Sequence, residues 1–294
     1  MTMRKSTLKK QMSHYVKLFF IYAILISLIY LLVYPILYML VTVFRSAEDL
    51  HNPAVIWVTR RYTLDNIKTA IKDLDFFKSF GFSLKLTLPS AILQTASCAL
   101  AGYGFARFKF KGVSALFAVL ILTIVIPPQT ILIPWYGVSQ SLGLLNNPAL
   151  FWIQSALGMS LKSGLFIFIF CQFFKGIPRE LESAAMLDGC STFGIFLKIM
   201  FPNITPATVT VFFFSFVWHW NENYMTRFTM NTVRTLAYRV ANSTDLLNRS
   251  GIDVKVTEAV IQSGSLLLLI PTLLLFFLLQ RYLREGIARS GIVG

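Results

Sequence analysis

The stretch "IPRELESAAMLDGCSTFGIFLKIMFPNITPA", Ile177–Ala207, lies between two strongly apolar runs of the chain. Its first part reads as a short charged helix. Pro178 suits a first helical position, where its missing N–H is not needed. Glu180 and Glu182 follow in the first turn, where acids complement the helix dipole. Leu181, Ala184, Ala185 and Leu187 give an apolar, mostly small face, and Gly189 ends the helix. Ser191 can cap a second helix, Thr192–Met200, expected to stop before Pro202. A helix–glycine–helix unit of this kind, set between runs that need a bilayer, marks a polytopic membrane chain with one structured surface loop.

The composition agrees. The chain has 294 residues, 55% hydrophobic and only 14% charged, where soluble domains carry roughly 25% charged residues. The mean hydropathy is +0.65. The net charge of +14 fits Lys and Arg flanking membrane spans better than a nucleic-acid surface, and no nucleic-acid partner is expected. Cys98, Cys171 and Cys190 form no CxxC pair, which argues against zinc sites and disulfides; no metal site and no catalytic residue are expected. A phosphate-binding GxxxxGK loop is absent from the sequence. Residues 1–17 form a basic N-terminal segment, and the long apolar run behind it reads as a retained anchor.

Six runs are long enough to span, given about 20 apolar residues per crossing: 19–44, 86–106, 113–135, 150–174, 204–220 and 259–279. The fold expected is therefore all-α, with six transmembrane helices. The segmentation is a basic N-terminus 1–17, a first transmembrane helix 18–44, an external loop 45–85, a core 86–284 with five transmembrane helices, and a tail 285–294. The short loop "RFKFKG", 107–112, carries three basic residues, and the loop 136–149 carries none. The positive-inside rule makes the first cytoplasmic. Both termini and the segment 178–202 then face the cytoplasm.

Several residues inside the runs invite two readings. Lys162 lies within the fourth run. It either faces a polar pathway or marks the outer start of the span and reaches for the interface. Gln94, Thr95 and Ser97 are pathway groups or interhelical hydrogen bonds. Trp218, Trp220, Asn221 and Glu222 close the outer end of the fifth run, as an aromatic belt or as sugar-stacking rings. Pro127 and Pro128 should break the third run.

The opening stretch resembles the EAA motif of ABC-importer permeases: Glu-Ala-Ala, three residues, Gly, nine residues, Ile, one residue, Leu-Pro. Ser183, Ala184, Ala185, Gly189, Ile199, Phe201 and Pro202 occupy those places. The spacing is kept throughout, while Ser183 stands for the family's Glu and Phe201 for its Leu. "AGYGFARFKFKG", "WHWNENY", "YTLDNIKTAI" and the ending "QRYLREGIARSGIVG" are also similar to segments of the carbohydrate-uptake branch, close to the maltose-type and oligosaccharide permeases and to their smaller subunit.

The resemblance implies the type I importer permease fold in a bacterial plasma (inner) membrane. It implies one half of a sugar or oligosaccharide pathway working by alternating access, and Lys162 with the basic outer loops extends this to an acidic sugar. It implies that 178–202 is a coupling helix carrying ATPase contacts at Glu180, Glu182, Ser183, Ala184, Ala185, Asp188 and Gly189, with Glu180 or Glu182 supplying the charge that Ser183 lacks. Lys162, Gln94, Trp218, Trp220 and Asn221 are the pathway candidates. The partners implied are a homodimeric ATP-binding subunit, a second homologous permease, an external solute-binding protein and membrane lipid. No cofactor is expected in this chain, ATP and Mg belonging to the ATPase. The competing reading, an ion-coupled secondary carrier, would call for acids or histidines inside the spans, and all thirteen acids lie outside them.

Overall fold

The computed structural model describes residues 2–244 and 253–290. Of the expected segments, 245–252 in an outer loop, 291–294 in the tail and Met1 lie outside the described residues. Every regular element among the described residues is helical, apart from one isolated antiparallel bridge between Arg45 and Tyr62. The chain divides into two compact units, 1–72 with 244–266 and 73–243 with 267–294.

The first unit is built on helix α1, Thr2–Val43, whose apolar part His14–Val43 is long enough to cross a bilayer. Behind it the chain folds into a small cap made of α2, Ala47–His51, and most of α3, Asp65–Asp73. Asn66 Nδ2 donates to the carbonyls of Val43 (3.0 Å) and Arg45 (2.8 Å), which ties α3 to the end of α1.

The second unit centres on α4, Phe76–Arg107, which packs on α7 (Ala149–Ala156), α8 (Ser163–Lys175) and α12 (Thr205–Trp220). Its helix begins ten residues before the expected second span. Ser79, Ser83, Thr87, Ser90, Gln94 and Thr95 form a buried polar stripe along it, which lowers its hydropathy as a span. Gly102 lets α8 approach: a Cβ there would sit 2.6 Å from Phe170 Cβ and 3.0 Å from the Cys171 nitrogen. Small residues at a crossing are the usual device for close helix packing in membranes. Phe166, Phe170, Phe174, Tyr103, Ile195 and Met200 fill the core beside this crossing.

Two expected spans are not single straight helices. The third is α5, Val113–Val125, followed across Pro127 and Pro128 by a 3-10 turn and α6, Leu132–Ser141, at 100°. The proline pair breaks the helix where it was expected to. The fourth is interrupted over 157–162, between α7 and α8. Gly158 (φ 65) and Lys162 (φ 64) both take left-handed backbone there, natural for the glycine and a strain of roughly 1–3 kcal/mol for the lysine. Among the described residues, by length and composition, two helices can cross a membrane, or up to four if each bent pair counts as one span. The other long one is α15, Val254–Ser290, which runs through Pro271.

The opening stretch folds as α9, Glu180–Leu187, then α10, Thr192–Ile195, a π turn over Phe196–Met200, and α11, Phe201–Asn203. Ser191 Oγ accepts from the Gly194 nitrogen as the expected cap. Two expectations are corrected. Helix α9 starts two residues after Pro178. The second helical segment also does not stop before Pro202: Pro202 sits in the first turn of α11, where the missing N–H is harmless, and Asn203 Nδ2 covers the Ile199 carbonyl at 2.7 Å. The segment meets α12 at 83°.

Candidate functional site

Two regions of the second unit gather the chemistry. One is the surface of α9. Gly189 (φ 80) ends this helix in a left-handed turn, with the Cys190 nitrogen bonded to the Ala185 carbonyl at 3.0 Å and the Gly189 nitrogen to Met186 at 3.0 Å. That is the glycine-terminated cap its sequence called for. Ala185 and Glu182 face inward. Glu180, Leu181, Ser183, Ala184, Leu187 and Asp188 face outward, with Leu187 89% exposed. The Ser183 hydroxyl donates to the Arg179 carbonyl at 3.2 Å.

Glu182 is not where the sequence reading placed it. Its Oε1 lies 3.0 Å from Arg107 Nε at the end of α4, and the two side chains are only 10% and 5% exposed. The groups meet as an ion pair, not as an aligned hydrogen bond. Arg107 Nη2 also donates to the Ile177 carbonyl at 2.7 Å. One arginine thus holds both the entry to α9 and its inner face. Arg107 was noted in the sequence only as one of three basic residues in a short loop. Its partner is 75 positions away, and no local pattern marks it.

The second region is a cavity of about 390 Å³ bounded by α5, α6, the 157–162 break, the start of α8 and the C-terminal end of α12. Small-molecule sites span roughly 300–1,000 Å³. Lys162 and Trp218 both line it, the ammonium lying 5.9 Å from the indole centroid. So do Gln154, Ser160, His219 and Glu222. Helix α8 begins at Ser163, and Lys162 lines the cavity from the break just before it. A charged amine in such a chain is expected to face water or a cavity.

The break that carries Lys162 is held in place by polar groups from α4 and α12. Gln94 is fully buried. Its Nε2 donates to the Leu161 carbonyl and to Ser163 Oγ, each at 2.8 Å, and its Oε1 accepts from Ser215 Oγ at 2.5 Å. These are the two donors of the amide and one acceptor site. His219 Nδ1 donates to the Ser215 carbonyl at 2.8 Å, which leaves Nε2 to accept from the Ser160 hydroxyl at 2.9 Å. Ser97 Oγ donates to the Ser155 carbonyl at 2.6 Å. Gln94 therefore bonds helix to helix and does not line the cavity. Trp220 is buried as well: its Nε1 donates to the Leu268 carbonyl at 2.9 Å, and its ring stacks on Phe216. Asn221 is exposed and donates to Val217 within its own helix end. Of the five pathway candidates, the structure brings only Lys162 and Trp218 to the cavity.

Glu222 closes the cavity and caps α13, Tyr224–Thr229. Its carboxylate accepts from the nitrogens of Met225 (2.5 Å) and Thr226 (2.9 Å). Burial nonetheless pushes its carboxyl above the usual range, against the pull of these backbone donors. Among the described residues no cluster of His, Cys, Asp and Glu could hold a metal ion.

Comparison with known proteins gives this geometry a context. Residues 98–289 match the family described as "Binding-protein-dependent transport system inner membrane component". The chain is 26% identical over 271 residues to the arabinooligosaccharides transport system permease protein AraQ of Halalkalibacterium halodurans, covering 90% of this chain and 92% of that one. It is 28% identical over 272 residues to the lactose transport system permease protein LacG of Rhizobium radiobacter, covering 92% and 94%. It is 27% identical over 264 residues to the probable ABC transporter permease protein YurM of Bacillus subtilis, covering 89% and 84%. Its fold is similar to a chain in the crystal structure of a bacterial ABC transporter involved in the import of the acidic polysaccharide alginate. The TM-score is 0.76, with 18% identity and coverage of 90% of this chain and 95% of that one.

Proposed function

Because this chain belongs to the family of binding-protein-dependent transport system inner membrane components, we propose that it forms one half of the translocation pathway of an ATP-driven importer for a sugar or oligosaccharide. It is a multi-pass inner-membrane transport subunit and not an enzyme; ATP hydrolysis belongs to a separate subunit. The observation that carries the reading is α9, a short helix capped by glycine, with its inner face anchored on Arg107 and its outer face left bare.

That outer face is a plug of the kind a groove in an ATPase would accept. Ala184 lets another backbone approach, and Leu187 offers an apolar knob. Glu180 and Asp188 offer the charge that Ser183 lacks. Glu182 is committed to Arg107, so the compensating acid is Glu180 or Asp188. The ATPase is a homodimer, with one copy under this chain and one under a second, homologous permease. An external solute-binding protein delivers the sugar. ATP and Mg bind in the ATPase, and this chain holds no cofactor.

Six crossings with both termini cytoplasmic remain the topology we favour, counting α4, the bent α5–α6 pair and the interrupted α7–α8 pair as spans. The contact between Arg107, at the edge of the basic 107–112 loop, and α9 supports placing both on the cytoplasmic side.

The printed names of AraQ and LacG support a sugar cargo. Lys162 beside Trp218 supports an acidic one: the indole offers a face for a sugar ring and the ammonium a partner for a carboxylate. The alginate importer, whose fold this chain shares, is consistent with that chemistry.

The test is a capture of this chain from its own membrane in mild detergent, with the co-purifying proteins identified by mass spectrometry. An ATP-binding subunit and a second permease are expected. The variant Glu180→Lys/Asp188→Lys should lose the ATPase and keep the second permease. A chain that emerges alone under every mild condition would overturn the reading.

A further inference from the structure

The cap of the first unit carries a surface that import does not explain. Its backbone is pinned on both sides of a three-residue tip. Before the tip, the Arg45 guanidinium donates to the Val55 carbonyl and to the Asp49 carbonyl. After it, the Asp49 carboxylate accepts from Thr59 Oγ1 (2.5 Å) and from the nitrogens of Arg60 (2.8 Å) and Arg61 (3.1 Å). Between these anchors Ile56, Trp57 and Val58 point outward, 47%, 44% and 75% exposed. A frayed loop would explain exposed apolar residues; a backbone fixed at both ends does not. The tip needs an apolar neighbour.

Its position names that neighbour. The uncharged run Phe19–Val43 of α1 measures about 38 Å at 1.5 Å per residue, against roughly 30 Å of hydrocarbon. The surplus of about five residues is Met39–Val43, where Met39, Thr42 and Val43 are buried and the Val43 carbonyl accepts from Asn66 of the cap. The cap is therefore joined to the part of the helix that overshoots the bilayer. Its tip reaches back along α1: the Trp57 ring meets Tyr34 edge-on at 5.3 Å, and Tyr34 in turn touches Tyr30 and Tyr38. Tyr38 is the last residue before that surplus, at the level where hydrocarbon gives way to headgroups, and Tyr34 lies about 6 Å deeper along the helix. Trp and Tyr concentrate at that level. Exposed Arg60 and Arg61 stand just beyond the tip, where cations meet lipid phosphate.

We propose that Ile56–Val58 insert into the membrane interface beside α1, with Arg60 and Arg61 over the phosphates, so that this cap is a lipid anchor that fixes how far α1 sits in the bilayer. The proposal needs only that α1 crosses a membrane; it is independent of the cargo.

The test places a nitroxide at Ile56→Cys, Val58→Cys and, for comparison, Lys68→Cys. The protein is the complete importer in vesicles of phosphatidylethanolamine and phosphatidylglycerol. Cys190→Ser removes the most accessible native thiol, since Cys98 and Cys171 are buried. Collision with oxygen and with a water-soluble nickel chelate is read at each site. At 56 and 58 oxygen should dominate and the chelate be excluded, a shift of the oxygen-to-chelate ratio to the lipid side relative to 68. Ratios equal to that at 68 would mean a tip in water. Low collision with both reagents would mean a tip buried against another protein. Either result overturns the anchor. Trp57 is untouched in these variants, so the cap keeps its contact with Tyr34.

Discussion

Arg107 Nε and Glu182 Oε1 lie 3.0 Å apart, joining the end of α4 to the inner face of α9 in a site from which both side chains are nearly excluded from water. Breaking one side of a buried pair strands the other charge, at a cost of roughly 3–5 kcal/mol. Glu182→Ala should therefore lower the thermal stability of the purified complex by more than any exposed substitution on α9. The exchange Arg107→Glu/Glu182→Arg should recover part of that loss. A single variant as stable as the parent would remove the pair from the account.

Ser183 predicts the opposite behaviour. It is exposed, and its hydroxyl makes a local bond to Arg179. Ser183→Ala should change stability by less than about 0.5 kcal/mol and leave sugar uptake per ATP hydrolysed unchanged. Glu180→Lys should lower that ratio while leaving thermal stability alone. Equal losses of coupling at Ser183 and Glu180 would count against the proposed docking face.

Gln94→Leu should leave the Leu161 carbonyl and the Ser215 hydroxyl without their partner. Each such loss costs about 1–3 kcal/mol. Because these bonds flank Lys162, the KM for sugar uptake should also rise. A measured drop in stability with KM unmoved would leave Gln94 a packing residue only.

Lys162→Met keeps the length of the side chain and removes its charge. Uptake of oligosaccharides containing uronic acids should fall several-fold, while uptake of neutral ones should hold. Equal effects on both would end the case for an acidic cargo.

Asp49 gives the cap a pH dependence. Its carboxyl is held below the ordinary aspartate value of 3.8, first by the Thr59 hydroxyl and then by the backbone donors of Arg61 and Arg60, against the upward push of burial. A depressed carboxylate stabilises the fold above its unfolded pKa, and that contribution is lost as pH falls through the folded value. The protection of amides across 45–66, taken relative to their intrinsic exchange rates at each pH, should be high at pH 7 and fall below about pH 3.8. In Asp49→Ala it should be low at both.

The sequence made the surface helix legible because caps and dipoles are local: Glu180, Gly189 and Ser191 act within one turn of themselves. Apolar runs located the spans, and Pro127–Pro128 located one break. A helix start near Ser163 was one of the two readings of Lys162, but the preceding helix α7 and the left-handed turn were not legible, because those residues are moderately apolar and a left-handed lysine is a strained choice that no propensity predicts. The sequence left two readings open for Gln94 and Trp220 and did not show the inner partner of Glu182, for a common reason. Each is decided by a distant partner: Leu161 and Ser215 for Gln94, Leu268 for Trp220, Arg107 for Glu182. Residue type alone could not separate a group that faces a pathway from one that ties two helices.

The central claim is that the bare face of α9 seats in an ATPase. The most direct measurement puts a photoreactive benzoylphenylalanine in place of Leu187, the most exposed apolar side chain of that helix, and illuminates intact membranes. The account predicts a covalent adduct with an ATP-binding subunit, whose yield changes when ATP is bound. Adducts with lipid alone, or none with any ATP-binding protein, would contradict it.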